Sequence, residues 1–273
     1  MKIVGLLENT TADQNLKCKH GLSLYIETEK HKILFDVGPN DLFLKNAKTL
    51  GIDVKDVDVL VLSHGHVDHC GGLKCFLEAN DKAKIYLRKS ATEKHYVKVL
   101  GIPFFAGMDA GLTKGDRFVF TDDVFTLDDE ITLFSKVSGR FKLPKSDGNL
   151  FRKDNGKIVP DDFCHEQNLV LTEGDKRVLV CGCAHAGIVN IVEKEKKLFG
   201  VYPSAVVGGF HLYEPTSKRY ETDEYIRGVA AALRRTGAAY FTCHCTGPVA
   251  FGKMKKDLGD KLTYLHTGSE FEI

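Results

Sequence analysis

The ten residues SHGHVDHCGG (63–72) constrain this chain more than any other stretch. They place His64, His66, Asp68 and His69 within six positions, directly after the apolar run VDVLVL. Alternate residues of an extended segment point to one side, so His64 and His66 are predicted to converge on one point. A turn can direct Asp68 and His69 toward a second point. Because buried imidazoles and carboxylates are costly without partners, the cluster indicates a metal site rather than a surface histidine cluster.

The residue types indicate which ions such a site would hold. Imidazole suits Zn, Fe and Ni, and a carboxylate adds a harder ligand. Two adjacent ions bridged by a hydroxide are the expected product of this cluster. The helical zinc-protease pattern is excluded, because it needs a glutamate after the first histidine and Gly65 stands there.

Apolar periodicity predicts strands alternating with helices along the chain. The principal predicted strands are VDVLVL, RVLVCGC, SAVVGGF and AAYFTCHC. The principal predicted helices are GGLKCFLEAN, SATEKHYVKVLG, AGIVNIVEKEKKLFG, ETDEYIRGVAAALRRTG and VAFGKMKKDLG. This order fits an α/β fold in which helices cover two mixed sheets. We expect one domain over residues 1–273, with an irregular stretch at about 101–162 that covers the active site.

Composition excludes several classes of partner. The net charge of the 273 residues is +1, which gives no electrostatic case for nucleic acid or an acidic membrane surface. No apolar stretch approaches the roughly 20 residues needed to span a bilayer, and MKIVGLLENTTAD lacks the pattern of a signal peptide. We therefore expect a cytoplasmic protein with reduced cysteines that acts on a small molecule.

Several motifs carry a resemblance to a known family. SHGHVDHCGG resembles the His-x-His-x-Asp-His signature of the metallo-β-lactamase superfamily, and ILFDVG resembles its strand ending in Asp and Gly. Four further stretches resemble the dihydropterin synthase-like subgroup of methanopterin biosynthesis: HGLSLYIET, GCAHAGIVNIVE, VVGGFHL and CHCTG. The resemblance implies a four-layer αββα sandwich with a di-metal centre at one edge of its two sheets.

Two ions need more ligands than the first cluster supplies. His185, His211 and His244 each end a predicted strand, and ligands from several strand ends can meet at one rim. We assign His64, His66 and His185 to one ion, and Asp68, His69 and His244 to the other. The two residues with predicted catalytic roles are Asp68, which would orient water or take its proton, and His211, which would face the substrate as proton donor or oxyanion stabiliser.

The resemblance also suggests alternative ligands. Many superfamily members carry a histidine ahead of the strand RVLVCGC and an aspartate at its end. By that pattern His165 and Cys183 become candidates, although a solvated loop position is slightly favoured for His165. Cys183 stands where the bridging aspartate of the hydrolases would stand. A cysteine ligand at Cys183 or Cys245 would favour Zn or Fe over Mg.

The expected function is that of a metal-dependent enzyme with two divalent ions, zinc ahead of iron or manganese. Such ions would supply hydroxide near neutral pH, either for hydrolysis or for dihydropterin transfer by a synthase-like reaction. The substrate would be a small molecule, and Arg140, Lys142, Lys145 and Arg152 within 101–162 could meet a phosphate group on it. The alternatives are a redox protein with an iron or cysteine-ligated centre and a non-catalytic sensor. The sequence predicts no oligomeric state.

Overall fold

The computed structural model describes all residues from 1 to 273. In chain order its strands are β1 (Lys2–Leu7), β2 (Ser23–Glu27), β3 (Lys32–Phe35), β4 (Val59–Val61), β5 (Lys84–Leu87), β6 (His95–Val99), β7 (Ile102–Phe105), β8 (Phe118–Phe120), β9 (Val124–Thr126), β10 (Ile131–Ser135), β11 (Leu150–Asp154), β12 (Lys157–Pro160), β13 (Gln167–Glu173), β14 (Lys176–Val180), β15 (Ala205–Gly208), β16 (Tyr213–Glu214), β17 (Arg219–Tyr220), β18 (Ala239–Thr242), β19 (Leu262–Tyr264) and β20 (Glu270–Glu272). Its α-helices are α1 (Leu42–Thr49), α2 (Val67–Cys70), α3 (Leu73–Ala79), α4 (Ile188–Phe199), α5 (Asp223–Arg234) and α6 (Pro248–Leu258).

Two seven-stranded mixed sheets form the framework. Their strand orders are β20-β1-β2-β3-β4-β5-β8 and β19-β18-β15-β14-β13-β10-β9. Strands β3, β4, β5 and β8 run parallel in the first sheet, and β14, β15, β18 and β19 run parallel in the second. Since the carboxyl ends of parallel strands meet at one edge of a sheet, polar residues that follow several strands can gather there.

Three separate apolar clusters define four layers. One lies between the sheets and includes Phe35, Val61 and Val180. A second packs α1 and α3 on the outer face of the first sheet, and a third packs α4, α5 and α6 on the outer face of the second. Along β4 the side chains alternate between clusters, because Val59 and Val61 face the other sheet while Leu60 faces the helices. The predicted αββα sandwich is confirmed.

The long helices begin and end at residues suited to those positions. Thr222 caps α5, because its side chain accepts a hydrogen bond from the Tyr225 amide at 3.2 Å. Pro248 occupies the first turn of α6, where its missing amide proton costs nothing. Helix α4 ends at Gly200, whose φ of 85° is readily available only to glycine.

A smaller sheet of order β12-β11-β6-β7 lies within the stretch predicted to cover the site. The prediction of a helix over residues 90–101 is wrong. Lys89–Thr92 form a 3₁₀ turn, and His95–Val99 form β6, which pairs with both β7 and β11. Pairing on two sides and the strand preference of Tyr96, Val97 and Val99 outweigh the helical spacing. The longest α-helices have 12 residues, and none combines the length and hydropathy that a membrane span requires.

Candidate metal centre and cavity

Every predicted ligand, and the predicted catalytic residue His211, follows the carboxyl end of a parallel strand. His64, His66, Asp68 and His69 follow β4, His185 follows β14, and His211 and His244 follow β15 and β18. Two sheets therefore deliver these side chains to one shared edge, and all of the histidines among them are buried.

The first predicted set forms a compact triangle of rings. The ring centroids of His64, His66 and His185 are 4.7 Å, 5.0 Å and 5.0 Å apart. Three imidazoles around a tetrahedral zinc ion, with Zn–N bonds of 2.0–2.1 Å, have centroids about 5 Å apart. The Nε2 atoms of His64 and His185 are buried without any hydrogen-bond partner. The three rings therefore lie at the spacing of metal ligands, and His64 and His185 have unpaired nitrogens that an ion could bind.

The second predicted set is equally close. Asp68 Oδ2 lies 3.3 Å from His244 Nε2 and 3.6 Å from His69 Nε2, and these two nitrogens are 3.1 Å apart. His20 Nε2 is 3.3 Å from the same carboxylate oxygen. Although burial alone raises it, the pKa of Asp68 is held well below its usual range by His69, His20 and His244. The ionised carboxylate and converging nitrogens suit a second cation.

Cys183 lies between the two sets. Its ligand atom is within 4.8 Å of those of His64 and His185, and it forms an equally close group with His69 and His244. The distance from Cys183 Sγ to His69 Nε2 is 3.1 Å. Burial raises the pKa of the Cys183 thiol well above its ordinary value, so a cation that binds there must displace the thiol proton.

The outward ring nitrogens of four histidines are held by hydrogen bonds. The Nδ1 partners are Ser63 Oγ for His64 (2.7 Å), Asp36 Oδ2 for His69 (2.7 Å), Asp147 Oδ1 for His185 (2.6 Å) and Asn9 Oδ1 for His244 (2.9 Å). Asp36 also accepts hydrogen bonds from the amide and hydroxyl of Ser63. Such partners fix the tautomer and direct Nε2 toward a metal.

The backbone at these strand ends is strained. Asp36, Ala184, His211 and His244 have positive φ angles of 60°, 58°, 47° and 50°. Non-glycine residues adopt this conformation at a cost, and they keep it where the surrounding structure requires it, most often at functional sites.

His211 lines a cavity beside the first set, with its ring centroid 4.4 Å from that of His185. Its Nδ1 lies 2.9 Å from Ser146 Oγ and 3.2 Å from Asp147 Oδ1. Burial and the neighbouring His66 lower the pKa of His211 to about 3. Sequence reasoning missed Ser146 and Asp147, because they belong to the cover segment and no periodic pattern singles them out.

His165 is not a solvated loop residue, which corrects the slight preference stated above. It is completely buried, and its Nδ1 accepts a hydrogen bond from the Gly65 amide at 3.0 Å. Its Nε2 faces Asp161 rather than the triangle of the first set. The hydrogen bond to the loop after β4 and the contact with the Asp161 carboxylate account for the buried position of His165.

A cavity of about 210 Å³ opens over both sets. Val67, Val97, Ala106 and Leu150 give it an apolar wall, and no lysine or arginine lines it. A neighbouring groove shares Ser146, Asn149 and Glu214 with this cavity and adds Lys145 and Arg219. Arg152 was also predicted to meet an anionic group, but its guanidinium pairs with the Asp162 carboxylate at 2.9 Å.

Known proteins are similar to this chain over most of its length. A curated relative from Methanocaldococcus jannaschii, named 7,8-dihydropterin-6-methyl-4-(beta-D-ribofuranosyl)-aminobenzene-5'-phosphate synthase, is 31% identical over 92% of this chain and 88% of its own. An uncharacterized protein of the same organism is 29% identical over 97% and 98%. The crystal structure of a metal-dependent hydrolase of the beta-lactamase superfamily is 31% identical, covers 100% of this chain and 99% of its own, and superposes with a TM-score of 0.84.

The family model agrees with these relatives. The model of the metallo-beta-lactamase superfamily matches residues 16–218, which include the motif after β4 and the strand end at Cys183 and His185. The chain therefore belongs to the metallo-beta-lactamase superfamily.

Proposed function

We propose that this protein is a metal-dependent enzyme with a dinuclear centre. One ion would be held by His64, His66 and His185, and the other by Asp68, His69 and His244. The observation that carries the proposal is a pair of buried donor groups, His64 with His185 and His69 with His244, that share Cys183 beside one cavity. We infer that the ions are zinc, because imidazole and thiolate ligands suit zinc better than magnesium.

When bound, such a pair of ions lowers the pKa of water and polarises a substrate oxygen. The chain's own residues would supply orientation and proton transfer. Asp68 lies at the cavity and accepts hydrogen bonds, so it can orient the attacking water. The lowered pKa keeps the His211 ring neutral, and if its Nδ1–H donates to Ser146 Oγ, the Nε2 lone pair is left to accept a hydrogen bond from water and, in the transition state, its proton. This differs from the predicted donor role, which His211 would take up only after accepting that proton.

Hydrolysis of a small molecule is the reaction we propose first. It is supported by the similarity to the structure named as a metal-dependent hydrolase. The cavity's apolar wall and lack of cationic side chains suit an uncharged part of the substrate above the donor sets. Lys145 and Arg219 line the adjoining groove together with Glu214 and Glu221, and the two basic side chains could meet a phosphate at the other end of the molecule.

Dihydropterin transfer is the second candidate, and the name of the relative from Methanocaldococcus jannaschii favours it. In this reaction the C–O bond of a 6-hydroxymethyl dihydropterin breaks and its oxygen leaves as water. A carbon or nitrogen of the arylamine ribose phosphate forms the new bond and loses a proton, which His211 can accept and pass to the departing hydroxyl.

A paired assay tests both candidates on the zinc-loaded protein. One arm follows hydrolysis of an ester, a lactone and a phosphodiester. The other follows, by mass spectrometry, the coupling of 6-hydroxymethyl-7,8-dihydropterin with 4-(β-D-ribofuranosyl)aminobenzene 5'-phosphate. We expect turnover in one arm. Binding of the pterin without turnover in either arm would favour a sensor, and a metal-dependent visible spectrum from iron would favour a redox protein.

Asp36→Asn is expected to weaken metal binding at the second set by about 10–100-fold, because the amide cannot hold His69 Nδ1 as the carboxylate does. Competition with a chromogenic chelator measures the loss. Asp129→Asn is the matched control, since that carboxylate is exposed and pairs only with Lys30. Equal affinities for the two variants would contradict the orienting role of Asp36.

A further inference from the structure

Two buried glutamates lie behind the donor sets and are not ligands in the centre proposed above. Glu8 follows β1 and is completely buried, and Glu166 directly precedes β13 and is 4% exposed. A buried carboxylate is costly unless hydrogen bonds satisfy its oxygens. The hydrogen-bond partners of the two glutamates therefore indicate what these side chains do.

Each carboxylate accepts a hydrogen bond from the backbone amide of a proposed metal ligand. The His244 amide donates to Glu8 Oε1 at 2.8 Å, and the His185 amide donates to Glu166 Oε1 at 2.6 Å. The next amide, that of Ala186, donates to Glu166 Oε2 at 3.0 Å. The two histidines follow different strands, and each is held by its own glutamate.

The local backbone explains why these amides need such acceptors. His244 has a φ of 50°, and Ala184, the residue before His185, has a φ of 58°. The chain therefore turns away from the strand direction at both places, and a buried amide that leaves the sheet ladder needs another partner. Hydrogen bonds to a carboxylate are stronger than those to a neutral oxygen, so they can hold an otherwise unfavourable conformation.

Negative charge behind the ligands also favours cations in the donor sets. Two divalent ions carry more positive charge than Asp68 and a Cys183 thiolate can offset, and no lysine or arginine lines the cavity. Attraction between opposite charges is stronger in a buried site than in water. Because Glu8 and Glu166 contact different histidines, each carboxylate should act mainly on one ion.

We propose that Glu8 and Glu166 are positioning residues for separate ions. Glu166 would fix the backbone at His185 and so support the ion of the first set. Glu8 would fix the backbone at His244 and support the ion of the second set. This inference rests on the dinuclear centre of the proposed function, and it adds that the two ions have independent supports.

Reciprocal substitutions test the assignment, and each variant is the matched control of the other. Glutamine keeps the length of the side chain, but it removes the charge and one acceptor oxygen. Glu8→Gln is expected to weaken zinc binding at the second set by about 10–100-fold and to leave the first set unchanged, and Glu166→Gln is expected to do the reverse. Competition with a chromogenic chelator gives both dissociation constants. Anomalous scattering from crystals grown at limiting zinc shows which position has lost its ion.

The possible outcomes separate this inference from the proposed function. Equal losses at both positions in each variant would contradict independent supports, because a general loss of stability affects both sets alike. Unchanged affinities in both variants would contradict a positioning role for either glutamate. A native chain that binds fewer than two zinc ions would refute the dinuclear centre, and this inference with it.

Hydrogen exchange of the native chain without zinc gives a test that needs no variant. If the glutamates hold the backbone, the His185 and His244 amides should exchange as slowly as those of the preceding strands β14 and β18 before any metal is bound. Rapid exchange of either amide would overturn the role of its glutamate, because the ion would then be what fixes that histidine. This measurement decides the question even where a glutamine variant does not fold.

Discussion

Replacing Cys183 with alanine is expected to have the largest effect of any single substitution on the metal centre. Cys183 Sγ lies 3.1 Å from His69 Nε2 and close to His64 and His185 as well, so its loss would remove a ligand that the two proposed ions could share. Mutating a residue that hydrogen-bonds to a metal ligand typically lowers metal affinity or activity by about 10–100-fold. A shared direct ligand should cost more, and we expect turnover to fall by more than about 100-fold with at least one ion lost per chain.

Cobalt substitution gives this prediction a direct readout. A thiolate bound to Co(II) produces a charge-transfer absorption, which should be present in the native chain and absent from Cys183→Ala. Cys181→Ala is the matched control. Cys181 is a buried thiol two residues earlier, but it packs in the apolar cluster under α4 and belongs to none of the donor groups described above. Persistence of the absorption in Cys183→Ala would contradict ligation by this cysteine.

Replacing Cys183 with aspartate tests whether metal binding needs the sulfur atom or only a negatively charged ligand. Cys183→Asp places a carboxylate where the resemblance to the hydrolases expects one. We expect this variant to recover metal content relative to Cys183→Ala while still lacking the charge-transfer absorption. Recovery of metal without recovery of activity would show that the thiolate tunes the reaction as well as binding the ions.

Much of the centre could be predicted because its residues carry local signals. The motif after β4 has a fixed spacing, and the histidines after β14, β15 and β18 each end an apolar strand. Parallel strands place their carboxyl ends at one edge of a sheet. The order of strands and histidines in the sequence therefore sufficed to predict that these side chains lie close together.

The remaining residues depend on tertiary pairing, which the sequence does not display. His95 was predicted within a helix, whereas pairing of β6 with β7 and β11 places it in a buried cluster. Asp147 lies in a short 3₁₀ turn of the cover, and only the folded chain brings its carboxylate to His185 and His211. The burial of His165 likewise follows from its hydrogen bond to Gly65, one hundred positions away.

His211→Asn is expected to lower turnover by about 10²–10⁴-fold, the range typical of a lost general acid–base group, while metal content stays at the native value. His211 lines the cavity and contacts the first set without belonging to it in the proposed assignment. Asparagine is the suitable replacement, because the position has a φ of 47° and asparagine tolerates the left-handed region better than most residues.

Paired measurements of zinc content and of kcat distinguish proton transfer from ligation. A loss of kcat at constant zinc content supports proton transfer by His211, whereas a parallel loss of both would make it a ligand, together with the nearby Cys183 and Cys245. Ser146→Ala removes the partner of Nδ1 but leaves the ring, so it should cost less than His211→Asn. A larger loss of kcat in Ser146→Ala than in His211→Asn would contradict proton acceptance at Nε2, because the Ser146 hydroxyl would then contribute more to turnover than the His211 ring.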